Sequence, residues 1–169
     1  MPVAKILVGL PGTGKSTFCK MLQEQEPEHD WYQISSDYFL EKKMKEENLS
    51  YREAFDKYIQ NATGNFWHKL KKYSREGKNL IIDRTNLTID GRKKVIQTIA
   101  NNMKKGHGYY FEFILFDKVS FVDALKRLEI RQNIEGKNIP FRTLLSMAGQ
   151  YQAPTQNEIY DACNQLQGH

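Results

Sequence analysis

Near the start of the chain, Gly9-Leu10-Pro11-Gly12-Thr13-Gly14-Lys15-Ser16-Thr17 has the spacing G-x-x-x-x-G-K-S/T. The residue types explain one another. Glycines let successive backbone N–H groups curl around a polyphosphate, Lys15 can reach the β- and γ-phosphates, and the Ser16 hydroxyl can ligate Mg²⁺. Gly12, Thr13, Gly14, Lys15, Ser16 and Thr17 are therefore the expected contacts of a bound nucleoside triphosphate. Val3-Ala4 and Ile6-Leu7-Val8 form an apolar run before this loop. Residues 17–25 read as a helix after it, so that a helix N-terminus points at the anion. The loop implies a triphosphate site and leaves open what becomes of the terminal phosphate.

Three further groups of residues bear on that question. Asp37 follows a short mixed stretch, Trp31 to Ser35. A carboxylate there can take the proton of an acceptor hydroxyl across from the γ-phosphate. The alternative is an N-cap for the helix beginning Tyr38-Phe39-Leu40, a duty that Ser35 or Ser36 could perform instead. Asp83 ends the aliphatic run Leu80-Ile81-Ile82, the form of a strand whose carboxylate holds Mg²⁺ directly or through water. The next residue is Arg84 where a motor-type ATPase needs a carboxylate to activate water, which disfavours rapid hydrolysis. Thr85 and Asn86 add polar side chains at the same mouth, unless they serve only the turn. Arg127 and Arg131 are spaced i, i+4 on one helical face. They can close over a transferring phosphate as a lid, or pair with nearby glutamates as surface charge. The guanine-reading pattern Asn-Lys-x-Asp does not occur.

The elements that must position these residues alternate. Strands are expected at 3–8, 31–35, 79–83 and 109–116. Helices are expected at 15–25, 37–47, 51–76 and 90–104, the last stopped by Gly106. In the third of these, Phe55, Ile59, Ala62, Phe66, Leu70 and Tyr73 share one face, and Gly64 marks a break or a close backbone approach. Ser120 with Asp123 starts a further helix as a variant capping box, and Pro140 suits the first position of another. Thr155-x-x-Glu158 begins a last short one. Strands separated by helices imply an α/β fold, a parallel sheet of four to five strands with helices on both faces and a helical lid. Ligands in such sheets sit at the carboxyl ends of the strands, where the loop at 9–17, Ser35 to Asp37, Asp83 to Asn86 and Asp117 all fall.

The 169 residues, 40% hydrophobic and 27% charged, fit one domain with a real core. No apolar stretch reaches membrane-spanning length, and the phosphate loop starts too early for a signal peptide, so a cytoplasmic protein is expected. Cys19 and Cys163 lack metal-ligand spacing, and Cys19 reads as a small core residue. The net charge of +5 is uneven, because residues 67–105 hold eleven Lys/Arg against three Asp/Glu. That excess suits a polyanionic partner or, equally, a solvated helix face.

At these residues the sequence resembles the kinase domain of phage polynucleotide 5′-kinases. The matching pieces are the loop at 9–17, the step from Ile34 to Asp37, Ile81 to Leu87, and Phe116-Asp117. Leu125-Lys126-Arg127 with Arg131, and Ile139-Pro140 followed by Leu144 to Met147, match as well. They occur in the family's order and cover nearly the whole chain. The resemblance implies ATP- and Mg²⁺-dependent transfer to a hydroxyl of DNA or RNA, commonly the 5′-OH. It assigns ATP and Mg²⁺ to Lys15 and Ser16, the general base to Asp37, the transferred phosphate to Arg131, and the acceptor's vicinity to Thr85. Two departures stand out. The family often has an arginine three residues after the catalytic Asp, holding the acceptor's neighbouring phosphate, and Leu40 occupies that place here. The Asp-x-Asp-Gly-Thr motif of the bifunctional relatives' phosphatase domain is missing from the sequence, so no 3′-phosphatase activity is expected. Other acceptors in keeping with Leu40 are 5-hydroxymethyl pyrimidines in DNA, and a small-molecule or nucleoside kinase is a further alternative.

Overall fold

The computed structural model describes residues 1–104, 107–155 and 157–164. Strands β1 (Val3–Val8), β2 (Trp31–Ile34), β3 (Asn79–Ile82) and β4 (Tyr110–Leu115) form one sheet in the order β2-β3-β1-β4. All pairings are parallel, with Ile6 opposite Ile82 on one side and Phe113 on the other. The helices are α1 (Lys15–Gln25), α2 (Asp37–Glu47), α3 (Tyr51–Arg75), α4 (Ile89–Asn102), α5 (Phe121–Glu135), α6 (Phe141–Gly149) and α7 (Asn157–Asn164). A fold of this class, four parallel strands with helices on both faces, is what the alternation of elements implies.

The strands are apolar on both faces because both are covered. Ala4, Ile6, Val8, Ile34, Leu80 and Ile82 pack with Phe66 and Leu70 of α3 and Val95, Ile96 and Ile99 of α4. Leu7 and Ile81 point the other way, onto Cys19 and Leu22 of α1. Cys19 is thus a core residue, and burial pushes its thiol up to about 12.

Local signals set the helix ends. Ser50 and Glu53 form a full capping box at the start of α3. Thr88 accepts from the Gly91 N–H at the start of α4, and Ser120 accepts from the Asp123 N–H at 3.1 Å at the start of α5. Two expectations need correction. The helix runs unbroken through Gly64, and a Cβ there would meet nothing within 4 Å, so neither a break nor a close approach exists. Pro140 is the N-cap of α6, one residue before the helix, because its ψ of 141° is extended. The proposed stop at Gly106 lies outside the described residues.

Arg92 also differs from expectation. Within the lysine-rich stretch it reads as part of a polyanion patch or solvated face, yet it is fully buried. Its Nε and Nη2 donate to the two carboxylate oxygens of Glu158 at 2.7 and 2.8 Å, and Nη1 donates to the Asn86 carbonyl at 2.9 Å. This fork clamps α7 onto α4. Glu158 also accepts from the Thr155 N–H at 3.0 Å, the carboxylate half of the expected capping box.

Candidate active site

The loop between β1 and α1 bends through left-handed backbone at Gly12 (φ 80°) and Gly14 (φ 102°). Close neighbours reinforce the demand for glycine. A Cβ on Gly12 would stand 2.7 Å from the Ala124 carbonyl oxygen, and one on Gly9 would stand 2.7 Å from Phe116 Cβ. So α5 and the residue after β4 lie directly on the loop. The Gly9 N–H donates to the Thr85 carbonyl at 3.0 Å, tying the loop to the segment after β3. The Thr13 hydroxyl donates to the Leu10 carbonyl. Ser16 and Thr17 are exposed on the first turn of α1.

Lys15 is buried, and its Nζ donates to the Gly9 and Leu10 carbonyls at 2.9 and 2.7 Å. Burial lowers its pKa to about 8, while the negative charges of Asp83 and Asp37 oppose that fall. An ammonium held only by carbonyls, under glycines with left-handed backbone, fits a polyphosphate.

Asp83 lies one residue beyond β3. Its carboxylate accepts from Gln33 Nε2 at 2.7 Å, and Gln33 Oε1 accepts from the Tyr38 hydroxyl at 2.7 Å. Burial raises the Asp83 pKa, with the Gln33 hydrogen bond and Lys15 pulling it back. Burial likewise pushes the Tyr38 phenol up to about 12.

Asp37 is the first residue of α2. Its own N–H is accepted by Ser35 Oγ at 3.1 Å. The helix start therefore does not use the Asp37 carboxylate, whose side chain is 49% exposed. Around it stand the Tyr51 hydroxyl, 3.5 Å from Oδ1, and Lys137 Nζ, 3.6 Å from Oδ2. Burial, then the Asp37 charge, raises the Tyr51 phenol pKa.

The arginines of α5 reach the same place. Arg127 Nη1 is 4.0 Å from where a Gly14 Cβ would be. The Arg131 charge acts on both Lys15 and Tyr51. Lys15, Asp83, Asp37 and Arg131, from four separate segments, thus share one electrostatic cluster at the carboxyl end of the sheet.

After β3 the three polar residues divide. Asn86 is buried, and its Nδ2 donates to the Leu7 carbonyl at 2.7 Å and to the Ile82 and Arg84 carbonyls at 3.3 Å. Its amide nitrogen staples the ends of β1 and β3, while the residue also lines the open cavity shared with Arg84 and Thr85.

Sequence reading misses Lys137, from the segment between α5 and α6. It is 5% exposed, makes a short ion pair with Glu41, and faces Asp37. A signal was present in the sequence. Asp37 and Glu41 stand at i, i+4 on α2, and two carboxylates on one helical face call for a cation.

Comparisons with known proteins bear on the fold and the family. The chain is 24% identical over 159 residues to human heterogeneous nuclear ribonucleoprotein U-like protein 2, covering 92% of this chain and 20% of that one. It therefore spans about a fifth of that relative's length. A chain of the Pnkp1/Rnl/Hen1 RNA repair complex superposes with a TM-score of 0.68 at 22% identity, over 97% of this chain and 46% of that one. A gluconokinase from Sinorhizobium meliloti superposes with a TM-score of 0.53 at 13% identity, over 99% and 98% of the two chains. These structural likenesses show the fold. Among the described residues, no helix is long and apolar enough to cross a membrane. The profile of the AAA domain family matches residues 5–154, and with its phosphate loop and parallel sheet the chain belongs to that family of P-loop NTPases.

Proposed function

We propose that this chain is a phosphotransferase that moves the γ-phosphate of ATP to a hydroxyl of a polynucleotide, the 5′-OH of DNA or RNA first among them. The observation that carries the reading is Asp37. Its carboxylate is left over from helix capping and shares a cluster with Lys15, Asp83 and Arg131. A protein that only binds nucleotide has no need of a base in that place.

In this reading the acceptor oxygen forms a bond to the γ-phosphorus as the bond to the β–γ bridging oxygen breaks, and ADP departs. Asp37 orients the hydroxyl and takes its proton. Lys15, Arg127 and Arg131 offset the charge spread over the transferring group. Ser16 and Asp83 are the residues that would hold Mg²⁺, which when bound neutralises charge on the β- and γ-phosphate oxygens. Lys137 and Tyr51 hold the Asp37 carboxylate in place. The likeness to a chain of an RNA repair complex supports a nucleic-acid acceptor. The exposed lysines of 67–105 would hold its backbone without reading sequence.

The near end-to-end likeness to a gluconokinase favours a second reading, a small-molecule kinase. Transfer of labelled γ-phosphate onto 5′-OH DNA, 5′-OH RNA, hydroxymethyl-pyrimidine DNA, free nucleosides and gluconate separates the two. Label on 5′-OH ends is the expected result, and label on free small molecules alone would sink the polynucleotide assignment. Asp37→Asn should cut transfer by about a hundredfold or more while ATP still binds. Turnover at the wild-type rate would remove Asp37 as the base.

A further inference from the structure

Arg84, half-buried, is unlike the fully buried Arg92. Its guanidinium carbon lies 4.7 Å from the centre of the Phe66 ring and 5.9 Å from that of Trp67. Among the described residues, no carboxylate or carbonyl accepts a hydrogen bond from it. Arg84 directly follows Asp83 beyond the carboxyl end of β3, and the carbonyl of the next residue, Thr85, accepts the Gly9 N–H of the phosphate loop at 3.0 Å. A planar cation held by aromatic faces keeps its edge N–H groups for something else, and the fork they form matches phosphate oxygens.

The surroundings fit the same ligand. Arg84 and Thr85 line a cavity of about 220 Å³ together with Trp67, Lys94 and Gln150. Lys94 Nζ lies 4.8 Å from the Trp67 ring centre, so that Trp67 carries two cations. The described lining residues include no acidic side chain. Leu40, by contrast, is 1% exposed in the core and offers this region nothing polar.

We propose that Arg84 and Lys94, both lying against Trp67, form a phosphate subsite that holds the phosphate neighbouring the acceptor hydroxyl. The proposal rests on the polynucleotide reading above and specifies how such an acceptor is gripped without an arginine at position 40. The phosphate is recognised by charge and by the guanidinium fork. A base is not needed for binding, and the subsite discriminates a nucleotide from a bare nucleoside.

Two measurements test this, both with the folded chain and with Mg-ADP or Mg-ATP filling the phosphate loop. The first is equilibrium binding of thymidine 3′-monophosphate, thymidine and inorganic phosphate in the presence of Mg-ADP. The second is kcat/KM for phosphoryl transfer from ATP to the first two. The wild-type protein should favour the 3′-monophosphate over thymidine by about tenfold or more in both. In Arg84→Gln and in Lys94→Gln that ratio should fall toward one. Lys94 is exposed on α4, so Lys94→Gln carries the test if Arg84→Gln fails to fold by circular dichroism. An unchanged ratio in the folded variants overturns the subsite, even where transfer itself is intact. Inorganic phosphate binding as tightly as the 3′-monophosphate overturns its assignment to the acceptor. A binding ratio that collapses in the variants, with no transfer to any acceptor, upholds the subsite and sinks the kinase reading instead.

Discussion

Arg92 and Arg84 stand eight positions apart in one basic stretch and have opposite fates. The Arg92 fork is saturated by Glu158 and the Asn86 carbonyl. Arg84 lies over two rings and donates to no described group. Lys15 resembles Arg84, since its ammonium meets only the carbonyls of its own loop. A cation whose donors are all matched by its own chain holds elements together. One whose donors are left over is built for an anion that arrives from outside. The two states differ in which mutation hurts, and in whether stability or binding reports it.

The largest effect should come from the saturated pair. Arg92→Ala leaves the Glu158 carboxylate buried without its cation, bonded among the described residues only to the Thr155 N–H, and should cost about 3–5 kcal/mol in urea unfolding. The Kd for Mg-ATP of the protein that remains folded should stay within about twofold, since the described hydrogen bonds of Arg92 go to Glu158 and the Asn86 carbonyl and not to the loop. A large loss of ATP affinity at unchanged stability would break the comparison.

Lys137 lies between the two classes. Its ammonium is matched to Glu41 and Asp37, and Asp37 is the proposed base. Lys137→Met should lower kcat about tenfold with little change in the KM for ATP, and Lys137→Arg should recover part of it. Equal losses in both variants, accompanied by a lower Tm, would put Lys137 with Arg92 instead.

The smallest effect is the pH response of Lys15. Its lowered pKa of about 8 means that the free protein holds this positive charge below pH 8 and loses it above. Triphosphate binding must then restore the proton. ATP affinity should fall about fivefold from pH 8 to pH 9 and approach tenfold per unit beyond. Calorimetric titration across that range in buffers of different ionisation enthalpy checks both the slope and the proton uptake. A flat profile to pH 10 would mean that the carbonyls and Asp83 keep the lysine charged throughout.

Much of the site was legible before folding because it is encoded locally. The phosphate loop needs glycine at Gly12 and Gly14 for left-handed backbone, and those demands are read residue by residue. Asp83 could be placed because an aliphatic run in a parallel sheet ends where ligands bind. Capping at Ser120 and the Thr155–Glu158 box are also matters of three neighbours. The alternatives for Asp37 were not separable in this way. Whether its carboxylate caps α2 depends on the orientation of Ser35, a neighbour with the same chemistry. Asn86 read as a site-mouth or turn residue, and Arg92 as part of a polyanion patch or solvated face, because their partners, the Leu7 carbonyl and Glu158, lie 79 and 66 positions away.

By itself, then, the sequence determined the alternation of strands and helices, the triphosphate loop and the segments that reach the carboxyl ends of the strands. Those follow from periodicity, from backbone freedom and from caps, all of which act over a few residues. The tertiary structure decided which charges were matched and which were left over. It paired Arg92 with Glu158, brought Lys137 to Asp37, and laid Arg84 on Phe66 and Trp67. A charge is satisfied by whatever lies within a few ångströms in space, and only the folded chain settles that distance.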